Sequence, residues 1–142
     1  MYDDIYQSLF EIVTFFNRPQ QDGKLLSRAG VQLDKTLFPI LMTIQHTQPI
    51  GLVELAHNVN KNYTTLSRQV DVLVDLGLVH TSPAPHDKRM RHISLANEGK
   101  KMIETIADAR RAMMSEHLQG WGEGDKIQLK EVLGKLADSL TK

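Results

Sequence analysis

Residues 79–95, VHTSPAPHDKRMRHISL, contain the pattern from which the fold of the whole chain can be inferred. Strand-forming residues occupy the two ends, at Leu78–Thr81 and Arg91–Leu95, and Ser82–Asp87 separates them. The separating segment is rich in proline, serine and aspartate, which favour turns, so the stretch predicts a β-hairpin. Its returning arm is basic, because Asp87 alone opposes three cations: Lys88, Arg89 and Arg91. Such a short basic cluster fits either a solvated loop or a nucleic-acid contact.

Two helices joined by a tight turn are predicted immediately before the hairpin. The first covers Leu52–Val59, the turn is Asn60–Lys61, and the second covers Tyr63–Leu76. Asn62 is a favourable N-cap for the second helix, and Gly77 suits the left-handed residue that ends a helix. The second helix has an apolar stripe at spacings of four and three residues, formed by Leu66, Val70 and Leu73. This order predicts a helix-turn-helix followed by a hairpin.

The leading face of the second helix is polar and almost free of acids. Hydroxyl and amide groups can bond to base edges, Arg68 can reach a guanine or a phosphate, and threonine methyl groups can contact a thymine methyl. The acidic residues of this helix, Asp71 and Asp75, lie toward its C-terminal end, which points away from DNA in this motif. A solvated face would more often mix Glu and Lys at helical spacing. We therefore favour DNA recognition, with these candidate residues on or beside the helix: Asn62, Tyr63, Thr64, Thr65, Ser67, Arg68 and Gln69.

Further helices are predicted on both sides of this central segment. Their apolar residues recur at helical spacing, and glycine or proline separates them. The predicted helices are Tyr2–Asn17, Lys35–His46 with Asp34 as its cap, Asn97–Gln119 and Asp125–Lys142, and Gln20–Gln32 is predicted as a loop.

The terminal helices carry more apolar surface than a small central domain can cover. The last one has a leucine seam at spacings of four, three and four, formed by Leu129, Leu133, Leu136 and Leu140. In the first one, Phe10 and Phe15 lie off the main apolar stripe, so this helix needs more than one partner. These features predict a homodimer, and an intrachain helical bundle is the alternative.

The composition excludes several classes of protein. The 142 residues suit one domain with helical extensions, and 17 basic residues balance 17 acidic ones, so contact with phosphate must come from local clustering. The chain has no cysteine, which excludes disulfides, thiol nucleophiles and cysteine-ligated zinc. No apolar run approaches the roughly 18 residues of a spanning helix, and the start is acidic where a signal peptide would be basic. We therefore expect a cytoplasmic protein with no membrane partner.

On these motifs the chain resembles the MarR family of winged helix-turn-helix regulators. The resemblance lies in Leu66–Val70 with Gly77–Val79, in the wing motif Asp87-Lys88-Arg89, and in Ile93–Leu95 with Glu98-Gly99. The order of elements covers essentially the whole chain. Two features depart from the family pattern: Ala96 replaces the usual threonine after the wing, and the wing contains the extra histidines His86 and His92.

The resemblance implies a mainly α fold with a small β-hairpin. In this fold a winged helix-turn-helix is flanked by N- and C-terminal dimerisation helices. The expected organisation is one MarR-type domain over residues 1–142. It comprises an N-terminal dimerisation helix and loop at 1–32, the winged helix-turn-helix at 33–96, and C-terminal dimerisation helices at 97–142.

The resemblance also implies a function. A homodimer would bind a pseudo-palindromic operator on double-stranded DNA, with the helix from Tyr63 in the major groove and Arg89 in the adjacent minor groove. Asp87 would support the wing and its arginine. Lys88 and Arg91 would contact phosphate or remain solvated, although Arg91 shares a strand face with Ile93 and could support the wing from within. Such a regulator is expected to be a repressor that a small-molecule effector releases.

Three alternatives were weighed against this prediction. An enzyme is not expected, because no phosphate-binding loop, Ser/His/Asp series or H-E-x-x-H motif is present. A zinc-responsive regulator of the same fold is the second alternative, because the chain has six histidines. No two of them have close helical ligand spacing, so no metal or cofactor is expected. His86 and His92 are expected to contact phosphate or solvent. A winged helix that binds protein rather than DNA would not need the basic wing.

Overall fold

A computed structural model describes residues 1–141, which form seven helices and three strands. The helices are α1 (Tyr2–Phe16), α2 (Pro19–Ala29), α3 (Phe38–Thr47), α4 (Leu52–Asn58), α5 (Tyr63–Asp75), α6 (Asn97–His117) and α7 (Glu123–Thr141). The strands are β1 (Ile50–Gly51), β2 (Val79–Ala84) and β3 (Asp87–Leu95). The chain divides into two compact units, one over Met1–Ala109 and one that begins at Arg110 within α6.

The hairpin is part of a three-stranded antiparallel sheet with the order β1-β3-β2. Ile93 on β3 lies opposite Ile50 on β1 and opposite Thr81 on β2. The predicted hairpin is therefore confirmed, and β1 is an addition to it. Two residues are too few to show a strand periodicity in the sequence, so β1 is defined only by its pairing with β3.

The hairpin is longer than predicted, and its pairing is interrupted near the tip. Pro83 lies opposite Arg91, but the next residue, Ala84, lies opposite Asp87. Residues 88–90 therefore have no partner on β2 and form a bulge in β3, which we call the wing bulge (Lys88–Met90). The turn shrinks to Pro85-His86, and two of the three cations of the returning arm lie in the wing bulge.

The core of the first unit lies where α3, α4, α5 and the sheet meet. Nine side chains of this unit are fully buried, and they come from almost every element around the hairpin: Ile40, Leu41, Ile44, Ile50, Leu55, Leu66, Leu73, Ile93 and Ile106. Burying a leucine or isoleucine side chain contributes about 1.5–3 kcal/mol. The helix-turn-helix and the inner end of the wing hairpin thus share one core.

The prediction of a loop at Gln20–Gln32 is wrong, because α2 occupies most of this segment. Pro19 is the first residue of α2 rather than only the end of α1, since proline is tolerated where the helical N–H needs no partner. Gly30 ends α2 in the left-handed conformation with φ 70°. Leu26 is buried against Phe38 and Ile106, so packing stabilises a helix whose composition is mostly polar.

Helix α3 begins at Phe38, three residues after the predicted start at Lys35. Asp34 does act as a cap, but for a turn that precedes the helix, because its Oδ1 accepts hydrogen bonds from the backbone N and Oγ1 of Thr36 at 2.8 and 2.7 Å. These bonds hold the pKa of Asp34 below its usual value. Pro39 consequently falls in the first turn, where a missing donor costs little.

The turn between the two central helices agrees with the sequence prediction. The Oδ1 atom of Asn62 accepts a hydrogen bond from the backbone N of Thr65 at 2.8 Å, which caps α5. Asn60 has a φ of 55° in the tight turn, and Gly77 has a φ of 76° after α5. Asparagine and glycine adopt such positive φ angles at low cost.

Two helices leave their apolar residues uncovered. Helix α1 has no buried residue, and Ile5, Phe10 and Phe16 are each about half exposed. In the second unit α7 also has no buried residue, and Leu140 is 75% exposed. Of the predicted seam, Leu129 and Leu136 are partly buried, whereas Leu133 and Leu140 are exposed. Both helices have apolar residues that no described residue covers completely.

Gly99 is required by a close approach of two backbones. A Cβ atom at this position would collide with the carbonyl oxygen of Leu78, which also accepts a hydrogen bond from the backbone N of Ala96 at 2.9 Å. We expect Gly99→Ala to lower the free energy of unfolding by about 1–3 kcal/mol, because the backbones must separate. Thermal or denaturant unfolding measures this change.

Gly23→Ala is the matched control, because Gly23 also lies in a helix but a Cβ atom there would meet nothing within 4 Å. This substitution should stabilise the protein by about 1 kcal/mol or less, since alanine is the better helix former. Equal effects of the two substitutions would contradict the close-approach argument.

Candidate nucleic-acid interface

Helix α5 presents most of the predicted DNA-reading residues to solvent. Its inner face is anchored by Leu66, Val70 and Leu73, which are buried in the core. This anchoring turns the opposite face outward, so the following predicted residues are exposed: Asn62, Tyr63, Thr64, Thr65 and Arg68. Ser67 is partly buried. The first turn of α5 contains no acidic residue, so its exposed N–H groups and hydroxyls suit an anion such as DNA.

Gln69 is placed differently from the other predicted residues on α5. It is partly buried, and its Oε1 atom is buried with no hydrogen-bond partner among residues 1–141. A buried amide oxygen without a partner costs about 1–3 kcal/mol. Gln69 would therefore reach a base edge only after its side chain turns outward.

Asp87 holds the wing bulge at its base. Its Oδ1 atom accepts a hydrogen bond from the backbone N of Arg89 at 3.0 Å and a second from the Nε atom of the same residue at 3.4 Å. The Asp87 side chain is 32% exposed, whereas that of Arg89 is 92% exposed. The carboxylate thus fixes the backbone of the bulge while the guanidinium projects into solvent. This is the geometry expected for a supporting aspartate and a groove-contacting arginine.

The start of α5 and two arginines of β3 line one cleft. A cleft of about 170 Å³ is lined by Tyr63 from α5, by Leu52 and Val53 from α4, and by Arg89, Met90 and Arg91 from β3. Arg91 and Lys88 are both exposed, which favours phosphate or solvent contact for Arg91 over internal support of the wing. The structure therefore brings Tyr63, at the start of α5, together with Arg89 and Arg91.

A second groove, of about 560 Å³, lies beside this cleft and contains three of the six histidines. Its lining residues come from β1, α4 and the hairpin: Gly51, Val53, Glu54, His57, His86, Met90 and His92. The rings of His86 and His92 are 6.3 Å apart between centroids. Among residues 1–141, no three His, Asp or Glu side chains are placed to hold a metal ion.

The sequence did not indicate that Val53 and His57 of α4 lie beside the wing. They are brought there by the pairing of Gly51 with His92, which attaches the start of α4 to β3. The only signal for this proximity is the isoleucine at position 50, which matches Ile93 in the buried layer.

Possible effector sites in the first unit are open grooves. One of about 660 Å³ is lined mainly by residues from α2 and the segment after it, including Leu26, Val31 and Asp34. Met42 packs against both core clusters of this unit. No helix within residues 1–141 is long and apolar enough to cross a membrane.

Comparison with solved structures identifies the architecture. A MarR family protein from Bacillus stearothermophilus aligns with a TM-score of 0.82 at 19% identity, covering 99% of this chain and 96% of that one. The chain has the fold of the MarR family. The resemblance inferred from its motifs is therefore confirmed at the level of fold, including the winged helix-turn-helix and the flanking helices.

Relatives found by sequence are regulators of the helix-turn-helix type. The uncharacterized HTH-type transcriptional regulator YxaD of Bacillus subtilis is 25% identical over 94% of this chain and 90% of its own length. The HTH-type transcriptional repressor YetL of the same organism is 26% identical over 97% of this chain and 81% of its own length. A family model described as HVO_A0114 matches residues 33–93, the segment that contains α3 to β3.

Two substitutions at position 62 test how much the Asn62 cap of α5 contributes to stability. Asn62→Ala removes the acceptor for the backbone N of Thr65, so we expect a loss of about 1 kcal/mol in the free energy of unfolding. Asn62→Asp keeps an acceptor and adds a negative charge at a helix N-terminus, so stability should be retained. Denaturant unfolding of both variants checks this, and equal losses would show that the cap contributes nothing.

Proposed function

We propose that this chain is a sequence-specific, DNA-binding transcriptional regulator that acts as a homodimer in the cytoplasm. Helix α5 enters the major groove of a half-site, and Arg89 enters the adjacent minor groove. The observation that carries this proposal is the cleft that Tyr63 of α5 shares with the wing, where the exposed Arg89 projects from a bulge that Asp87 holds. The MarR-type fold and the helix-turn-helix regulators among its relatives support the same conclusion.

The electrostatics favour DNA over a protein partner. The chain has equal numbers of acidic and basic residues, yet its wing bulge and the strand beyond it expose Lys88, Arg89 and Arg91. A narrow A·T-rich minor groove has enhanced negative potential, which attracts an inserted arginine. The first turn of α5 has no carboxylate to repel phosphate.

The uncovered faces of α1 and α7 support a second copy of the chain as their partner. Each helix has no buried residue and exposes large apolar side chains, and large exposed apolar patches mark interaction sites. A two-fold dimer would place two copies of α5 about one helical turn of DNA apart, so the operator should be pseudo-palindromic. Within the dimer, an effector that changes this spacing would release DNA by a population shift, and repression relieved by a small molecule is the regulation we propose.

Selection of bound sequences from random duplex DNA tests the proposal as a whole. Enrichment of an inverted repeat is expected, and its half-sites should be separated by one helical turn. Failure to enrich any sequence would favour the alternative of a winged-helix protein-interaction module. The selected duplex then serves as the operator in the experiments below.

Arg89→Ala should weaken operator binding by roughly 5- to 150-fold, the loss typical of an arginine that contacts bases. The fold should be unchanged, because the Arg89 side chain is exposed and the Asp87 carboxylate still accepts from the backbone N at position 89. Fluorescence anisotropy with labelled operator measures the affinity. Lys24→Ala, which removes an exposed cation on α2, is the matched control and should leave the affinity unchanged.

Salt titration of operator binding adds a second readout, for the wild-type chain and for Arg91→Ala. Affinity should fall steeply with salt, because phosphate contacts release counterions, and Arg91→Ala should reduce the slope by about 1 if Arg91 contacts one phosphate. A salt-independent complex would be inconsistent with DNA binding through this surface.

Leu140→Asp and Leu133→Asp should shift the chain from dimer to monomer, because each places a charge in an apolar face of α7. Sedimentation velocity over a range of protein concentrations measures the change. Lys135→Asp introduces the same side chain on the same helix at a position that is already polar and exposed, and it should remain dimeric. A monomeric wild-type chain that binds a full inverted repeat would rule out the proposed dimer.

A further inference from the structure

Histidines are concentrated at the wing of this protein. Three of the chain's six, His80, His86 and His92, lie in the hairpin formed by β2 and β3. A fourth, His57 on α4, lines the same groove as His86 and His92. His57 and His86 are exposed and His92 is partly buried, so all three can exchange protons with solvent.

The sheet pairing explains why these histidines lie close together. His92 is paired with Gly51 on β1, and α4 begins at the next residue, so its first turns lie beside β3. The short Pro85-His86 turn places His86 at the tip of the hairpin, with its ring 6.3 Å from that of His92. Met90 of the wing bulge lines the groove between them.

Protonation of these residues would change the charge of the wing substantially. When its histidines are neutral, the hairpin over residues 79–95 has three cations and one carboxylate, which gives a formal charge of +2. Protonation of its three histidines would raise this to +5 on a chain whose net charge is otherwise zero. Unperturbed histidine changes charge near pH 6.5, within the physiological range.

We propose that His57, His86 and His92 extend the DNA-contacting surface as proton-linked phosphate contacts, so that operator affinity rises as pH falls. This inference rests on the proposed DNA binding. Phosphate oxygens accept hydrogen bonds from both ring nitrogens of a protonated imidazole, whereas a neutral ring has one donor. Protons, rather than a metal ion, are the ligand that this arrangement suits, because no three of these groups within residues 1–141 are placed to hold a metal as they stand.

The charged groups around the cluster determine how it responds. From α4, the carboxylate of Glu54 lines the groove. From β3, the charged neighbours along the chain are Asp87, Lys88, Arg89 and Arg91. From β2, His80 lies two residues before Ser82, the residue opposite His92, and β1 contributes no titratable side chain. DNA phosphates would add negative charge beside these histidines, so protons are taken up when the complex forms.

The sign of the pH dependence follows from linkage. A group that gains a proton on binding makes the association constant increase as pH decreases, by about tenfold per pH unit for each proton taken up. The effect should be confined to the range between about pH 5.5 and 7.5, where histidine titrates, because carboxylates and lysines change charge outside it.

The test is anisotropy of labelled operator from pH 5.5 to 8.0 at constant ionic strength, with EDTA present throughout. The wild-type affinity should rise at least tenfold from pH 7.5 to 5.5. The triple variant H57Q/H86Q/H92Q should lose most of this rise, measured as the ratio of its own affinities at pH 5.5 and pH 7.5. His46→Gln, on exposed residue 46 of α3, is the matched control and should retain it.

A second measurement needs no variant. Isothermal titration calorimetry of the wild-type chain in two buffers with different ionisation enthalpies, at pH 6.5, should report net proton uptake on binding. Operator binding with no pH dependence and no proton uptake would overturn this inference and leave the proposed function intact. Absence of operator binding at every pH would overturn the proposed function itself. A pH dependence that the triple variant keeps would overturn the histidine assignment.

Discussion

The interface depends on the pairing of β3 with a strand on each side of it. Ile93 is fully buried and lies opposite both Ile50, which precedes α4, and Thr81, on the outgoing arm of the wing. A further bond, from the backbone N of Leu95 to the Oε1 atom of Gln48 at 2.9 Å, joins β3 to the end of α3. Because β3 is one arm of the wing and is also paired with the strand that precedes α4, the exposed residues of the helix-turn-helix and the wing are held in one arrangement. A polar residue at position 93 would disturb both parts.

Local signals predicted the centre of this chain well. The cap at Asn62, the left-handed Gly77 and the stripe on α5 are short-range features, and each determines its own piece of backbone. Helix α2 was missed because its composition is polar and its stability comes from Leu26, which packs against distant parts of the chain. Strand β1, the register shift after Pro83 and the inward-turned Gln69 are likewise products of tertiary packing. The DNA contacts and the dimer each depend on a second molecule, so they stay predictions.

The electrostatics of the chain are local rather than global. Equal numbers of acids and bases avoid indiscriminate attraction to nucleic acid, while the wing concentrates cations and titratable imidazoles at one tip. Asp87 is the exception in this basic segment, and its carboxylate is directed at the backbone and guanidinium of Arg89. The negative charge of Asp87 thus has a structural role in a segment where it would otherwise only repel DNA phosphates. The same segment can therefore bind a polyanion and retain a defined shape.

In the wing, the residues that determine its shape differ from the residues of the wing bulge, which determine its surface chemistry. Residues 88–90 have no partner on β2, so replacing their side chains leaves the pairing at Pro83–Arg91 and Ala84–Asp87 unchanged. Asp87 and Ile93 have no comparable freedom, since one closes the bulge and the other fills the core. In evolutionary terms, the three positions of the bulge can diverge quickly between duplicated genes. A descendant of this protein could thus acquire a different charge and shape at the wing surface while inheriting the same fold.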